Sequence, residues 1–203
     1  MSTYAKEIIA VIDPMCSWCW GFEPELQKLK SAVEADTKFS IIAGGLRGKN
    51  SQAWDSNFKN FLATYWNDVQ KQTSQEFNFS LLNKQHFDYN TEPSCRAIVC
   101  VRELDVSKVF VVLQALQKAF YHDALDITDT EVICDVIELC EINKNDFLTL
   151  FNSQKTKDHT VADGYKARSM GANVFPSLVF IDEEGHLSVI KGYRTFETLQ
   201  KML

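Results

Sequence analysis

The chain has 203 residues, 45% of them hydrophobic, with a formal net charge of −6 and a pI near 5.2. This is enough apolar material for one sizeable core, or for one domain carrying a large insertion. The acidic balance and the lack of any Lys/Arg run argue against nucleic acid as a partner, and no stretch approaches the roughly 20 apolar residues that cross a bilayer.

The elements read as follows in chain order. Glu7 to Ile12 is apolar and β-prone, and Asp13-Pro14 ends it. From Phe22 onward the pattern turns helical, with Leu26, Leu29 and Val33 on one stripe. Lys38 to Ala43 reads as a second buried strand, closed by Gly44-Gly45, and Leu46 to Asn50 as a flexible loop suited to the rim of a site. From about Ser51 to Met170 only helices are expected. One carries Phe58, Phe61, Leu62, Tyr65 and Trp66. The next opens at Glu92-Pro93, buries Ala97, Ile98, Val101 and Leu104, and precedes a helix through Val109, Val112, Leu113, Leu116 and Phe120. Thr128 to Glu131 fits a capping box. Lys144 to Phe151 and Thr156 to Met170 complete the block, with Gly171 as a stop. Ser177 to Asp182 and His186 to Lys191 then read as a hairpin across turn residues Asp182 to Gly185, and Thr195 to Leu203 as a closing helix.

The chemistry-bearing feature is Cys16-Ser17-Trp18-Cys19, placed between the first strand and the first helix. At a helix start, free N–H groups and the macrodipole favour a thiolate. Cys16 is the expected nucleophile, forming a mixed disulfide with a client or with glutathione. Cys19, one turn later on the same side, is the expected resolving thiol. Ser17 and Trp18 lie between them and tune the reduction potential, with Trp18 expected on a hydrophobic rim and Trp20 buried. No second cysteine pair at short spacing completes a zinc ribbon, and His86, His122, His159 and His186 are scattered, so no metal is expected. Cys95 and Cys100 diverge by about 140° on a helix, and Cys134 and Cys140 by about 120°. These four read as small buried apolar residues, with Cys95, near a helix start, the one to watch as an extra thiol. The stripe from Phe58 to Trp66 reads as core, with a client groove as the alternative. Arg47 and Lys49 could hold a carboxylate such as that of glutathione; solvated loop charges are the default. Lys6 is the only early positive side chain and Ile8 to Ile12 is too short for a signal peptide, so the expected compartment is the cytoplasm.

The order β-α-β, helical block, β-β-α, with C-x-x-C after the first strand and a proline before the third, resembles the thioredoxin fold with a helical insertion. This is the arrangement of DsbA-like disulfide oxidoreductases. Asp13 to Phe22 (DPMCSWCWGF) and Val174-Phe175-Pro176-Ser177 look most like the cytoplasmic DsbA-family group of predicted protein-disulfide isomerases. The resemblance implies an α/β thioredoxin-fold domain made of residues 1–50 and 171–203, and a helical insertion over 51–170 whose last helix leads back into that fold. It implies that Pro176 is a cis-proline facing the dithiol, leaving the backbone of Phe175 open to an extended substrate. The pattern departs at Ala10, where related proteins carry a buried acid that helps move the proton of the second cysteine. Asp13 is the nearest replacement for that relay, or else a turn-capping residue.

The expected function is thiol–disulfide exchange, in the reductase or isomerase direction, on disulfide-containing proteins or glutathione. A thiol reductant system would recharge the pair, and no bound cofactor is expected. One alternative is a glutathione-dependent transferase or isomerase of the kappa or hydroxychromene-carboxylate isomerase type, which typically has serine in place of Cys16. Another is a redox-switched adaptor or chaperone.

Overall fold

A computed structural model describes residues 6–33 and 35–201. Strand β1 (Glu7–Ile12) runs parallel to β2 (Lys38–Ala43) and antiparallel to β3 (Ser177–Ile181), which pairs with β4 (Leu187–Lys191), giving the order β2-β1-β3-β4. Side chains alternate between the two faces of β1. Ile8, Ala10 and Ile12 enter the main core, whereas Ile9 and Val11 join Ile42, Ala167, Ala172 and Val179 on the other side. Both faces are covered, so the strand reads as a continuous apolar run rather than an alternating one.

Helix α1 spans Ser17–Ala32, five residues ahead of the point where the leucine stripe becomes visible. Its first turn is set by Cys19 N–H to Cys16 O (2.9 Å) and Trp20 N–H to Cys16 O (3.1 Å), and Ser-Trp-Cys-Trp carries no hydrophobic period to announce it. The helical block contributes α2 (Ser56–Thr73), α3 (Glu92–Leu104), α4 (Val109–Tyr121), α5 (Thr130–Leu139), α6 (Lys144–Phe151) and α7 (Gln154–Ser169), and α8 (Phe196–Gln200) closes the described fold. The expected end of that last helix, 202–203, lies outside the described residues.

The starts of α5 and α7 are set by caps other than those expected. The capping box at Thr128 does not form, because the Thr128 hydroxyl is committed to Asp126 (2.6 Å); Asp129 is the cap and accepts from Glu131 N–H (2.9 Å). Helix α7 starts two residues early because the Ser153 hydroxyl accepts from Thr156 N–H (3.1 Å).

The main apolar core runs from α1 and one face of the sheet through α2, α4 and α5 to Phe147 and Phe151 on α6. At the C-terminal end of β2, Arg102 of α3 grips Asp163 of α7 with both terminal nitrogens (2.7 and 2.9 Å). Asp163 accepts from Ala43 N–H (3.1 Å), and Arg102 reaches Ile41 O (3.2 Å). This network pins the strand end from which the glycine loop departs.

Candidate active site

Cys16 is the N-cap of α1, in an extended backbone conformation, with no side chain capping the helix. Its sulfur therefore stands at the positive end of the helix, where first-turn N–H groups lack helical partners. Its S–H approaches the carbonyl of Phe175 at 3.6 Å, and the Phe175–Pro176 peptide bond is cis. Cys19 lies close to it, 1% exposed. Burial, followed by the proximity of Cys16, pushes the Cys19 thiol well above the ordinary range, and the Asp13 N–H partly offsets this.

A cavity of about 460 Å³ opens over this dithiol, lined by Cys16, Ser17, Trp18, Arg47, Phe61, Tyr65, Arg168 and Phe175. Trp18 is half-buried on its wall against Tyr193 (centroids 6.0 Å apart). Trp20 is buried, stacks on Tyr121 at 6.1 Å and donates its Nε1–H to Glu76 O (3.1 Å). The aromatic stripe of α2 divides by helix face. Phe58, Leu62 and Trp66 are buried, while Phe61 and Tyr65 remain 42% and 43% exposed at the cavity. The core reading thus holds for one face, and the other lines the cavity.

Asp13 is completely buried. One carboxylate oxygen accepts from Met15 N–H (2.8 Å), and the other from Leu46 N–H (2.7 Å) and Cys95 S–H (3.3 Å). Burial raises its proton affinity above the usual carboxylate range, against the lowering effect of these donors and the Thr91 hydroxyl. It sits between the end of β1, the glycine loop and the start of α3. The structure shows the turn-bracing part of its two sequence readings, through Met15 and Leu46 N–H.

Arg47 lines the cavity but Lys49 does not. Sequence reasoning missed Arg168, Tyr89 and Thr91. Arg168 comes from the end of α7 and shares with Arg47 both the main cavity and a second one of about 200 Å³, reached past Gly45 and lined by Cys95. Tyr89 donates its hydroxyl to Met15 O (2.7 Å), one residue before Cys16. Nothing in sequence spacing relates these positions to Cys16. The four histidines are exposed. Cys100, Cys134 and Cys140 are buried among apolar neighbours and away from the cavity. Asp182, Glu184 and His186 bring ligand atoms within 4.8 Å of one another on the exposed hairpin turn, remote from the dithiol.

The site invites comparison with known proteins. The ClpXP adapter protein SpxH of Bacillus subtilis strain 168 is 23% identical over 201 residues, which cover 97% of this chain but 66% of that protein; the chain thus spans just under two thirds of this relative. A crystal structure of a candidate protein disulfide isomerase from Nitrosomonas europaea matches with a TM-score of 0.87 and 28% identity over 97% of this chain and 94% of that one. The cytosolic disulfide reductase DsbM from Pseudomonas aeruginosa shares the fold, with a TM-score of 0.78 at 19% identity over 91% and 89% of the two chains. A thioredoxin family model matches residues 10–201. The C-x-x-C turn, the facing Phe175–Pro176 segment and the inserted helices are thus parts of one DsbA-like arrangement, and the chain belongs to the thioredoxin family.

Proposed function

We propose that the protein is a thiol–disulfide oxidoreductase acting through Cys16 and Cys19, running mainly as a reductase or isomerase in the cytoplasm. The carrying observation is Cys16 at an uncapped helix start, facing Phe175 O across the floor of an open cavity. The Cys16 thiolate attacks one sulfur of a substrate disulfide, and the other sulfur leaves as a thiolate. Cys19 then attacks Cys16, releases the second substrate thiolate and closes the 16–19 disulfide, its proton passing to Asp13. An external thiol system reduces the pair again; no bound cofactor takes part.

The substrate lies along Phe175-Pro176, against Ser17 and Trp18. Disulfide-bearing protein segments would use the apolar wall of Trp18, Phe61 and Tyr65. Glutathione would use Arg47 and Arg168, neither of which has an ion-pair partner among the described residues. One structure of DsbM was solved with GSH, and a 460 Å³ cavity has room for a tripeptide.

The deciding experiment is the reduction potential of the pair, measured by equilibration in glutathione buffers with trapping of free thiols. The expected result is a value near that of thioredoxin, about −270 mV. A value near −120 mV would make the protein an oxidant and reverse the direction, and failure to form a 16–19 disulfide at any poise would remove the function.

The SpxH relatives support a second reading, a redox-switched adaptor. In that case a protein partner binds the exposed aromatic wall, and binding survives replacement of both Cys16 and Cys19 by Ser.

A further inference from the structure

We propose that Cys95 is a positioning residue: its S–H, donated from the first turn of α3, holds the Asp13 carboxylate in place as proton acceptor for Cys19. The inference rests on the relay reading of Asp13 given above and extends it to a third cysteine, on an element of the helical block.

The geometry is specific. Asp13 is fully buried and has no ion-pair partner among the described residues, so hydrogen bonds alone hold its charge. Backbone N–H groups of Met15 and Leu46 supply two of them. The side-chain donors both come from the start of α3: Cys95 and the Thr91 hydroxyl. Thr91 is a divided donor, because its hydroxyl also lies 3.3 Å from Arg47 O. Cys95 is undivided. Its N–H is used within the helix on Thr91 O (3.0 Å), its side chain is 1% exposed, and its sulfur contacts Asp13 Oδ2.

Burial, then the adjacent Asp13 charge, pushes the Cys95 thiol far up, so it stays protonated and acts as a donor rather than a nucleophile. The titratable groups around Asp13 are Cys16 and Cys19 from α1, Cys95 from α3, Tyr89 from the segment before α3 and Tyr121 from α4, with Arg47 on the glycine loop beyond Leu46. Of these, Cys95 gives Asp13 a side-chain hydrogen bond, and the non-titrating Thr91 hydroxyl adds a second.

In the step at issue the Cys19 S–H gives its proton to Asp13 as the Cys19 sulfur attacks Cys16. The Cys16–Cys19 bond forms, the bond from Cys16 to the substrate sulfur breaks, and that sulfur leaves with the electron pair as thiolate. Asp13 later returns the proton to water. Donors to a carboxylate favour its charged form, so removing the Cys95 S–H raises the pH at which Asp13 becomes an acceptor.

The test uses reduced full-length protein carrying a mixed disulfide between Cys16 and thionitrobenzoate. Release of the coloured thiolate, followed by stopped flow across pH, reports attack by Cys19. In Cys95→Ala the midpoint moves up by about 0.5–1 in pH, a three- to tenfold change in proton affinity for loss of one weak donor to a charged group. Cys95→Ser, which keeps a donor, retains the wild-type midpoint, and Asp13→Asn abolishes the dependence. If Asp13→Asn flattens the profile while Cys95→Ala matches wild type, the role of Cys95 is overturned and the relay stands. A Cys95→Ser profile displaced as far as that of Cys95→Ala also overturns it, since packing rather than the donor would then matter. A wild-type profile in Asp13→Asn removes the relay itself.

Discussion

The first turns of α1 and α3 each present a buried cysteine to the neighbourhood of Asp13, and the two differ in what their surroundings leave free. Cys16 occupies the cap itself, with no side chain satisfying the helix N–H groups and an open cavity over its sulfur. Cys95 sits one turn inside its helix, its N–H bonded to Thr91 O and its S–H given to a carboxylate. Burial is 7% exposure in one case and 1% in the other, so depth barely separates them. Position relative to unpaired N–H groups, and the sign of the nearest charge, separate them fully. A cysteine facing the positive end of a helix is set up as a nucleophile, and one facing a carboxylate as a donor.

The largest expected effect breaks this comparison outright. Cys16→Ala should lower the rate of disulfide exchange by about 10³-fold or more, as loss of a nucleophile does, whereas Cys95→Ala should keep turnover near neutral pH within a few-fold. Insulin reduction assays on both variants decide it; comparable losses would erase the distinction.

Cys19→Ala should leave the first attack intact and stall the second, so that intact-mass measurement finds a long-lived adduct on Cys16. Rapid release of the adduct would mean that another thiol resolves it.

Gly44→Ala tests the support beneath the site. A Cβ there collides with the Phe175 ring, so either the ring or the strand end must move. The expected cost is about 1–3 kcal/mol by thermal unfolding, with slower exchange because the Phe175 carbonyl opposite Cys16 shifts. A variant with native stability and rate would show that the ring gives way freely.

The smallest effect concerns the rim. Arg47→Ala together with Arg168→Ala should raise KM for glutathione disulfide about three- to tenfold and leave a neutral disulfide substrate unchanged, and added salt should mimic the double variant. Equal losses on both substrates would mean that the arginines act on shape rather than charge.

Much of the fold was legible because it follows from local pattern. The strands β1 and β2 and helix α6 are apolar runs or stripes bounded by Asp-Pro, Gly-Gly and Asn143, whose side chain accepts from Asn145 and Asp146 N–H. The start of α1 was legible from the Asp13-Pro14 break and the C-x-x-C junction rather than from an apolar period, which Ser17 to Trp20 lack, and backbone bonds to Cys16 O define the turn there. The capping residue of α5 was misread because the competing bond from Thr128 to Asp126 depends on how the preceding loop closes. Within the site, Cys16, Cys19 and the Trp18–Trp20 division could be read directly, because a helix start and a 3.6-residue turn dictate where those side chains point.

The sequence by itself determined the element order, the dithiol and its place at a strand–helix junction, since these depend on short-range backbone preferences and on residue type. Only the tertiary structure decided which distant side chains share the cavity. Arg168 meets Arg47 because α7 packs across the end of β2 through Asp163, Arg102 and Ala43 N–H. Cys95 meets Asp13 because the start of α3 docks against the turn that precedes Cys16. Those meetings are products of packing, in which surfaces distant along the chain are matched by shape and by the need to satisfy every buried polar group, and no local periodicity encodes them.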